Sequence, residues 1–252
     1  MAGVEPSPTG VRDSARMAEA RQQLVSVAQW LARVERSFAA RAPGRELSLR
    51  WRGDRNVIAT HDLGDDVGLE LRIDGLVMQF TEAGRPSDHE IDVEERSPAH
   101  VEAWILIELL HRGLDRDRFS KDLPYDTSAL LSGDGVEFSP CEYEAELRAL
   151  AELFQAAVSA IGRAASDAGG EPALRISPRD LGVEAVAGGR TIGFSLGDAA
   201  IAEPFFYARG EGAAREPGES PTAILLASQL PPGDCVGAID AFYASNAAPT
   251  RH

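Results

Sequence analysis

Val67-Gly68-Leu69-Glu70-Leu71-Arg72-Ile73-Asp74-Gly75-Leu76-Val77-Met78-Gln79-Phe80 reads as two strands around a tight turn. Val67, Leu69, Leu71 and Ile73 alternate with Gly68, Glu70 and Arg72, and Leu76, Met78 and Phe80 alternate with Val77 and Gln79. Asp74-Gly75 between them is a hairpin signal, because both residues tolerate the left-handed backbone such turns require. Upstream, Leu47, Leu49 and Trp51 alternate with Ser48 and Arg50. Period two over three neighbouring segments predicts an antiparallel sheet with one buried face.

Helical patterns flank this sheet. Met17, Leu24, Val27, Ala28, Leu31, Val34 and Phe38 recur at three- and four-residue steps, predicting a helix near 14–41 that ends at Pro43-Gly44. Ser97-Pro98 reads as an N-cap with proline at the first helical position, opening a helix that stops at Gly113. This helix is apolar on most sides, which predicts that it is well buried. Asp88 to Glu95 alternates acids with His89, Ile91 and Val93, the pattern of an exposed strand edge guarded by charge.

After an irregular connection at 114–138, the same grammar returns. Ser139-Pro140-Cys141-Glu142 has the form of a capping box. Leu147, Leu150, Phe154, Ala157, Val158 and Ile161 then form the stripe of a long helix over 140–167. Strand-like segments follow at 174–176, 183–186, 191–196, 205–208 and 223–227, and Pro231-Pro232-Gly233-Asp234 opens a last helix. Leu47–Trp51 corresponds to Ala173–Ser177, and Val67–Leu71 to Ile192–Leu196, each displaced by about half the chain. The predicted fold is therefore α+β, a helix–antiparallel sheet–helix unit made twice and arranged about a pseudo-two-fold axis. The predicted organisation is a disordered tail at 1–13, halves at 14–113 and 139–246 joined by 114–138, and a tail at 247–252.

Composition limits function. The chain has 252 residues, 44% hydrophobic and 26% charged, as in a soluble globular protein. Forty acids against twenty-five bases give a net charge of −15, spread over both halves. Phosphate-driven nucleic-acid binding and anionic membrane surfaces both need clustered cations, so neither is expected. Every base is arginine except Lys121, a bias that fits the codon usage of a GC-rich genome. MAGVEPSPTGVRDSAR lacks the apolar core of a secretion signal, which points to the cytoplasm.

The reactive residue types form no familiar set. His61, His89, His100, His111 and His252 contain no pair at the three- or four-residue spacing of a helical metal site, so no metal is expected. Cys141 and Cys235 sit in the first turns of predicted helices, where amide dipoles lower a thiol pKa, but neither has a histidine nearby in sequence. Gly188-Gly189 and Gly210-Glu211-Gly212 fit neither a phosphate loop nor a dinucleotide fingerprint.

The most informative stretch is Gly193-Phe194-Ser195-Leu196-Gly197-Asp198, followed by Glu203-Pro204-Phe205-Phe206-Tyr207. With Thr222-Ala223-Ile224-Leu225-Leu226-Ala227-Ser228 and Leu47–Trp51, it resembles a bacterial protein family of similar length whose activity is unassigned. That family carries Gly-x-Gly-x-Ser-Pro-Gly-Asp, Glu-Pro-Tyr-x-Tyr and Gly-Ala-Val-Leu-Pro-Ala-Ser, and the resemblance spans most of residues 20–245. Where the family has Trp-Pro-His-His-Phe-Asp, this chain reads Ser177-Pro178-Arg179-Asp180-Leu181-Gly182. A Trp-His-Thr-Glu-Gly-Trp segment is replaced by Arg215 to Ser220, and a histidine before the first strand by Glu46. The resemblance thus implies a histidine-depleted member to which imidazole chemistry does not carry over.

The candidate ligand-binding set is Arg179, Asp180, Asp198, Glu203 and Tyr207, gathered where strand ends meet turns. A planar guanidinium, two acceptor carboxylates and an aromatic wall suit a small polar or anionic metabolite, bound rather than transformed. Asp198 equally reads as closing its own turn, and Glu203 as an ion-pair partner. A scaffold role fits the same absences. The other reading is a carboxylate-based enzyme in which Glu46, Asp180, Asp198, Glu203 and Glu216 converge, their oxygens suited to magnesium, manganese or calcium. No cofactor and no oligomeric state follow from the sequence.

Overall fold

A computed structural model describes residues 14–40, 46–133, 135–169, 173–211 and 221–247. The tail expected at 1–13, residues 248–252 of the tail expected at 247–252, and Glu216 lie outside the described residues, while Ala247 ends the last helix. Helix α1 (Ser14–Phe38) precedes five strands: β1 (Arg50–Arg52), β2 (Val57–Ala59), β3 (Val67–Arg72), β4 (Val77–Glu82) and β5 (Arg85–Asp92). Helix α2 (Pro98–His111) closes this half. In the second half, α3 (Glu144–Asp167) is followed by β6 (Arg175–Ile176), β7 (Val183–Ala187), β8 (Arg190–Ser195), β9 (Phe205–Glu211) and β10 (Ala223–Leu226), then α4 (Cys235–Ala247). Each sheet is an antiparallel meander in sequence order, β1 to β5 and β6 to β10.

The order of elements is the same in both halves, so the duplicated unit is a property of the fold. The two sheets touch edge to edge where Leu49, beside β1, pairs antiparallel with Ile176 of β6. Leu49 N–H donates to Ile176 O at 2.9 Å, and Ile176 N–H returns a bond to Leu49 O at 3.3 Å. The bonds are reciprocal and join equivalent edges, the residue before β1 in one half and β6 in the other.

One core serves both halves. The faces of β3 and β4 bearing Leu69, Leu71, Met78 and Phe80 are buried with Leu24, Ala28 and Leu31 of α1. Ile192, Phe194 and Phe206 do the same in the second sheet, with Leu150, Phe154 and Ile161 of α3. Aromatic rings link the halves. Trp51 lies 5.2 Å from Phe154, which contacts Phe194, then Phe206, then Tyr243 of α4.

Two local expectations need correction. Ser97 caps α2 as expected, its Oγ accepting from His100 N–H at 3.3 Å. Ser139 does not cap α3. Its hydroxyl accepts from Gln23 of α1 at 3.3 Å, and residues 140–143 form a 3-10 turn before α3 begins. Helix α2 is also less buried than its composition predicted. Val101, Ile105, Glu108 and Leu109 face inward, but Ile107 and Leu110 are exposed.

Candidate functional site

The residues singled out around the β8–β9 hairpin fall into three groups. The first is the turn itself. Asp198 Oδ1 accepts from the N–H groups of Ala200 and Ile201, each at 2.8 Å, so its carboxylate closes its own turn. Ser195 Oγ accepts from Gly197 N–H at 3.1 Å. Arg21 reaches over from α1 and donates to Leu196 O and Ala202 O at 3.3 and 3.1 Å. Glu203 accepts from both the N–H and the hydroxyl of Ser228, at 2.8 and 3.0 Å, fastening the chain after β10.

The second group crosses the outer face of the sheet. Tyr207 O–H donates to Glu184 Oε1 at 2.5 Å, and Arg209 approaches the same oxygen at 3.4 Å. The other Glu184 oxygen faces Arg175 at 3.9 Å, and Arg175 pairs with Glu46. Here Glu46 is an exposed ion-pair partner.

The third group lies at the Pro178–Gly182 turn, which α1 ties to the connection between the halves through Gln29. Asp180 Oδ1 accepts from Gly182 N–H at 3.1 Å, and the Arg179 and Asp180 side chains both influence Tyr125 electrostatically. Tyr125 O–H donates to Gln29 Oε1 at 2.8 Å, while Gln29 Nε2 donates to Pro178 O at 2.9 Å. Burial raises the Tyr125 phenol far above its usual range, so it stays a neutral donor.

This third group backs a pocket that the sequence reading missed. Gln22, Ser26 and Gln29 lie along one side of α1 and bind the connection. Gln22 donates to Ala129 O at 2.9 Å, and Ser26 Oγ accepts from Leu131 N–H at 3.0 Å. Between α1, the first turn of α2 and residues 121–133 this leaves a cavity of about 270 Å³. Ser26, Gln29, Trp30 and Arg33 are spaced so that all four line it from one helical face.

Charge distinguishes this pocket. Arg33 and Lys121 face a single described acid, Glu102, in a chain of net charge −15. Lys121 pairs with Glu102 at 3.2 Å. Arg33 stacks 4.3 Å from the Trp30 ring. Its Nε is buried without a hydrogen-bond partner among the described residues. Burial lowers the pKa of this guanidinium, with Glu102 acting in the opposite direction. Pro98 and Ala99 bring the amide end of α2 to the same wall.

A separate cluster lies at the other end of α2. His89, Glu108 and His111 place one donor atom each within 4.8 Å of one another. The spacing rule applied to histidine pairs misses it, because His89 comes from β5 and the helical partner of His111 is a glutamate. The Glu108-x-x-His111 spacing is its only trace in sequence.

Cys141 departs from expectation. It is exposed, and Glu94 accepts its N–H at 2.9 Å. The same carboxylate raises the thiol pKa where helical amides were expected to lower it.

No protein-family model matches the chain, and no curated protein or solved structure matches it significantly. The class defined by fold and site is thus an α+β protein of two meander sheets with a small cationic pocket beside its linker. Among the described residues no helix is long and apolar enough to cross a membrane.

Proposed function

We propose that this protein binds a small anionic metabolite in the pocket between α1, the start of α2 and residues 121–133. The observation that carries this is a half-buried guanidinium whose buried Nε–H has no partner among the described residues, accompanied by the chain's one lysine, in an otherwise acidic sequence. A carboxylate or phosphate on Arg33 would satisfy that donor, and the Trp30 face would pack against the carbon skeleton. The described lining holds no histidine or cysteine, which favours binding over transformation. Two free cysteines, Cys141 and Cys235, accord with a reducing cytoplasm.

The test is thermal denaturation with a panel of di- and tricarboxylates and phosphate esters, on the wild type and on R33M and K121M. A ligand at a hundredfold excess over its Kd raises Tm by about 5–10 °C for a chain of this size. R33M should abolish the response while keeping the aliphatic packing on Trp30. A panel that leaves Tm unchanged, or an equal response from R33M, refutes the reading.

A further inference from the structure

At the C-terminal end of α2, the Glu108 side chain is only 5% exposed, and the Arg112 side chain that holds it is 6% exposed. Arg112 Nη1 donates to Glu108 Oε2 at 2.6 Å, while Nε pairs with Glu82 at 3.1 Å. The same guanidinium stacks over Phe80 at 4.6 Å. The carboxylate is therefore fixed, with Oε2 engaged and Oε1 turned toward the cleft between β5 and α2. Two imidazoles converge on that remaining oxygen: His89 Nδ1 at 3.4 Å and His111 Nδ1 at 3.7 Å.

These separations are too long for ordinary hydrogen bonds, which cluster near 2.7–3.2 Å. They lie closer to the spacing of metal ligands, which the His89 distance meets and the His111 distance exceeds by a few tenths of an ångström. Ligand bonds of about 2.0–2.1 Å to a tetrahedral zinc ion set neighbouring donor atoms about 3.3–3.5 Å apart. We propose that His89, Glu108 and His111 bind a divalent transition-metal ion of the zinc class.

The chemistry of the donor set selects this class. Two imidazole nitrogens and one carboxylate oxygen favour zinc, cobalt or nickel over calcium and magnesium, which prefer all-oxygen shells. Both imidazoles are mostly exposed, so each can close the last few tenths of an ångström without disturbing the core. Glu82, Asp88 and Glu108 outnumber Arg85 and Arg112 around the cleft, so a dication is electrostatically welcome. Arg112 supplies the outer hydrogen bond that fixes a ligating carboxylate in established metal sites. Three protein ligands leave a fourth position open to the cleft, where a bound water would be acidified.

The experiment uses the full chain, freed of metal by chelator and titrated with Zn(II) by equilibrium dialysis and with Co(II) by visible absorption. One zinc should bind per chain at micromolar concentration, and Co(II) should give the intense d–d bands of a tetrahedral site. H89A and H111A should each weaken zinc at least tenfold and remove those bands. Both residues are exposed, so the far-UV circular dichroism of the variants should match the wild type. H100A, an exposed histidine at the opposite end of the helix, should bind as the wild type does. Failure to bind zinc at micromolar concentration, or undiminished binding by the H89A/H111A double variant, overturns the proposal.

Discussion

A Cβ placed on Gly193 would stand 2.5 Å from Cζ and from the hydroxyl oxygen of Tyr207, and 2.7 Å from Val183 O. The tyrosine cannot withdraw, because its hydroxyl is bonded to Glu184, and Val183 O belongs to the β7 backbone. Glycine is needed here for space rather than for a special backbone angle. G193A should therefore cost about 2–3 kcal/mol in urea denaturation. G210A, where a Cβ meets nothing within 4 Å, should stay within about 0.5 kcal/mol of the wild type. Side-chain roles around the hairpin were the least legible part of the sequence for a related reason. Asp198 and Glu203 carry the right chemistry for a ligand, but Asp198 Oδ1 accepts from Ala200 and Ile201 and both Glu203 oxygens accept from Ser228. Residue type announces what a group can do, and only the neighbours decide whether it is available.

Among the elements, α4 makes a fully buried polar contact with the second sheet. Tyr243 is fully buried and donates its O–H to Gly193 O at 2.7 Å, and burial keeps the phenol neutral far beyond its usual pKa. Y243F keeps the ring and removes the donor, so it should destabilise by about 1–2 kcal/mol, read as a shift in the urea midpoint at unchanged slope. The strands were mostly readable from alternation, and the exceptions have physical causes. Strand β2 has three residues, all buried, too few to display a period and with no polar face to alternate with. Helix α3 starts later than its motif suggested because Gln23 occupies the serine that would have capped it. The pocket and the metal cluster were hidden by distance along the chain. Arg33 and Lys121 are far apart in sequence, as are His89 and His111, and no local pattern records that the fold brings each pair to one wall.

For the whole molecule, the repeated order of elements was visible in the sequence, but the shared core was not. Trp51 on Phe154, and the contact of α1 with α3, make each half part of the other's interior. The chain should therefore unfold in one step despite its two sheets. Its tryptophans provide the test, since Trp30, Trp51 and Trp104 all lie in the first half while helices of both halves contribute to circular dichroism. Fluorescence and far-UV ellipticity should trace superimposable urea curves. Separated midpoints would show two independent domains.

The bridge between Leu49 and Ile176 has a kinetic consequence. Two equivalent edges that exchange reciprocal antiparallel bonds form the kind of contact by which separate copies of one chain make a dimer. Two unlinked units would have to find each other, at a rate set by their abundance. Here residues 114–138 tether them, so the encounter is intramolecular at an effective concentration fixed by the tether. Assembly of the two sheets is first order, and dilution cannot take them apart.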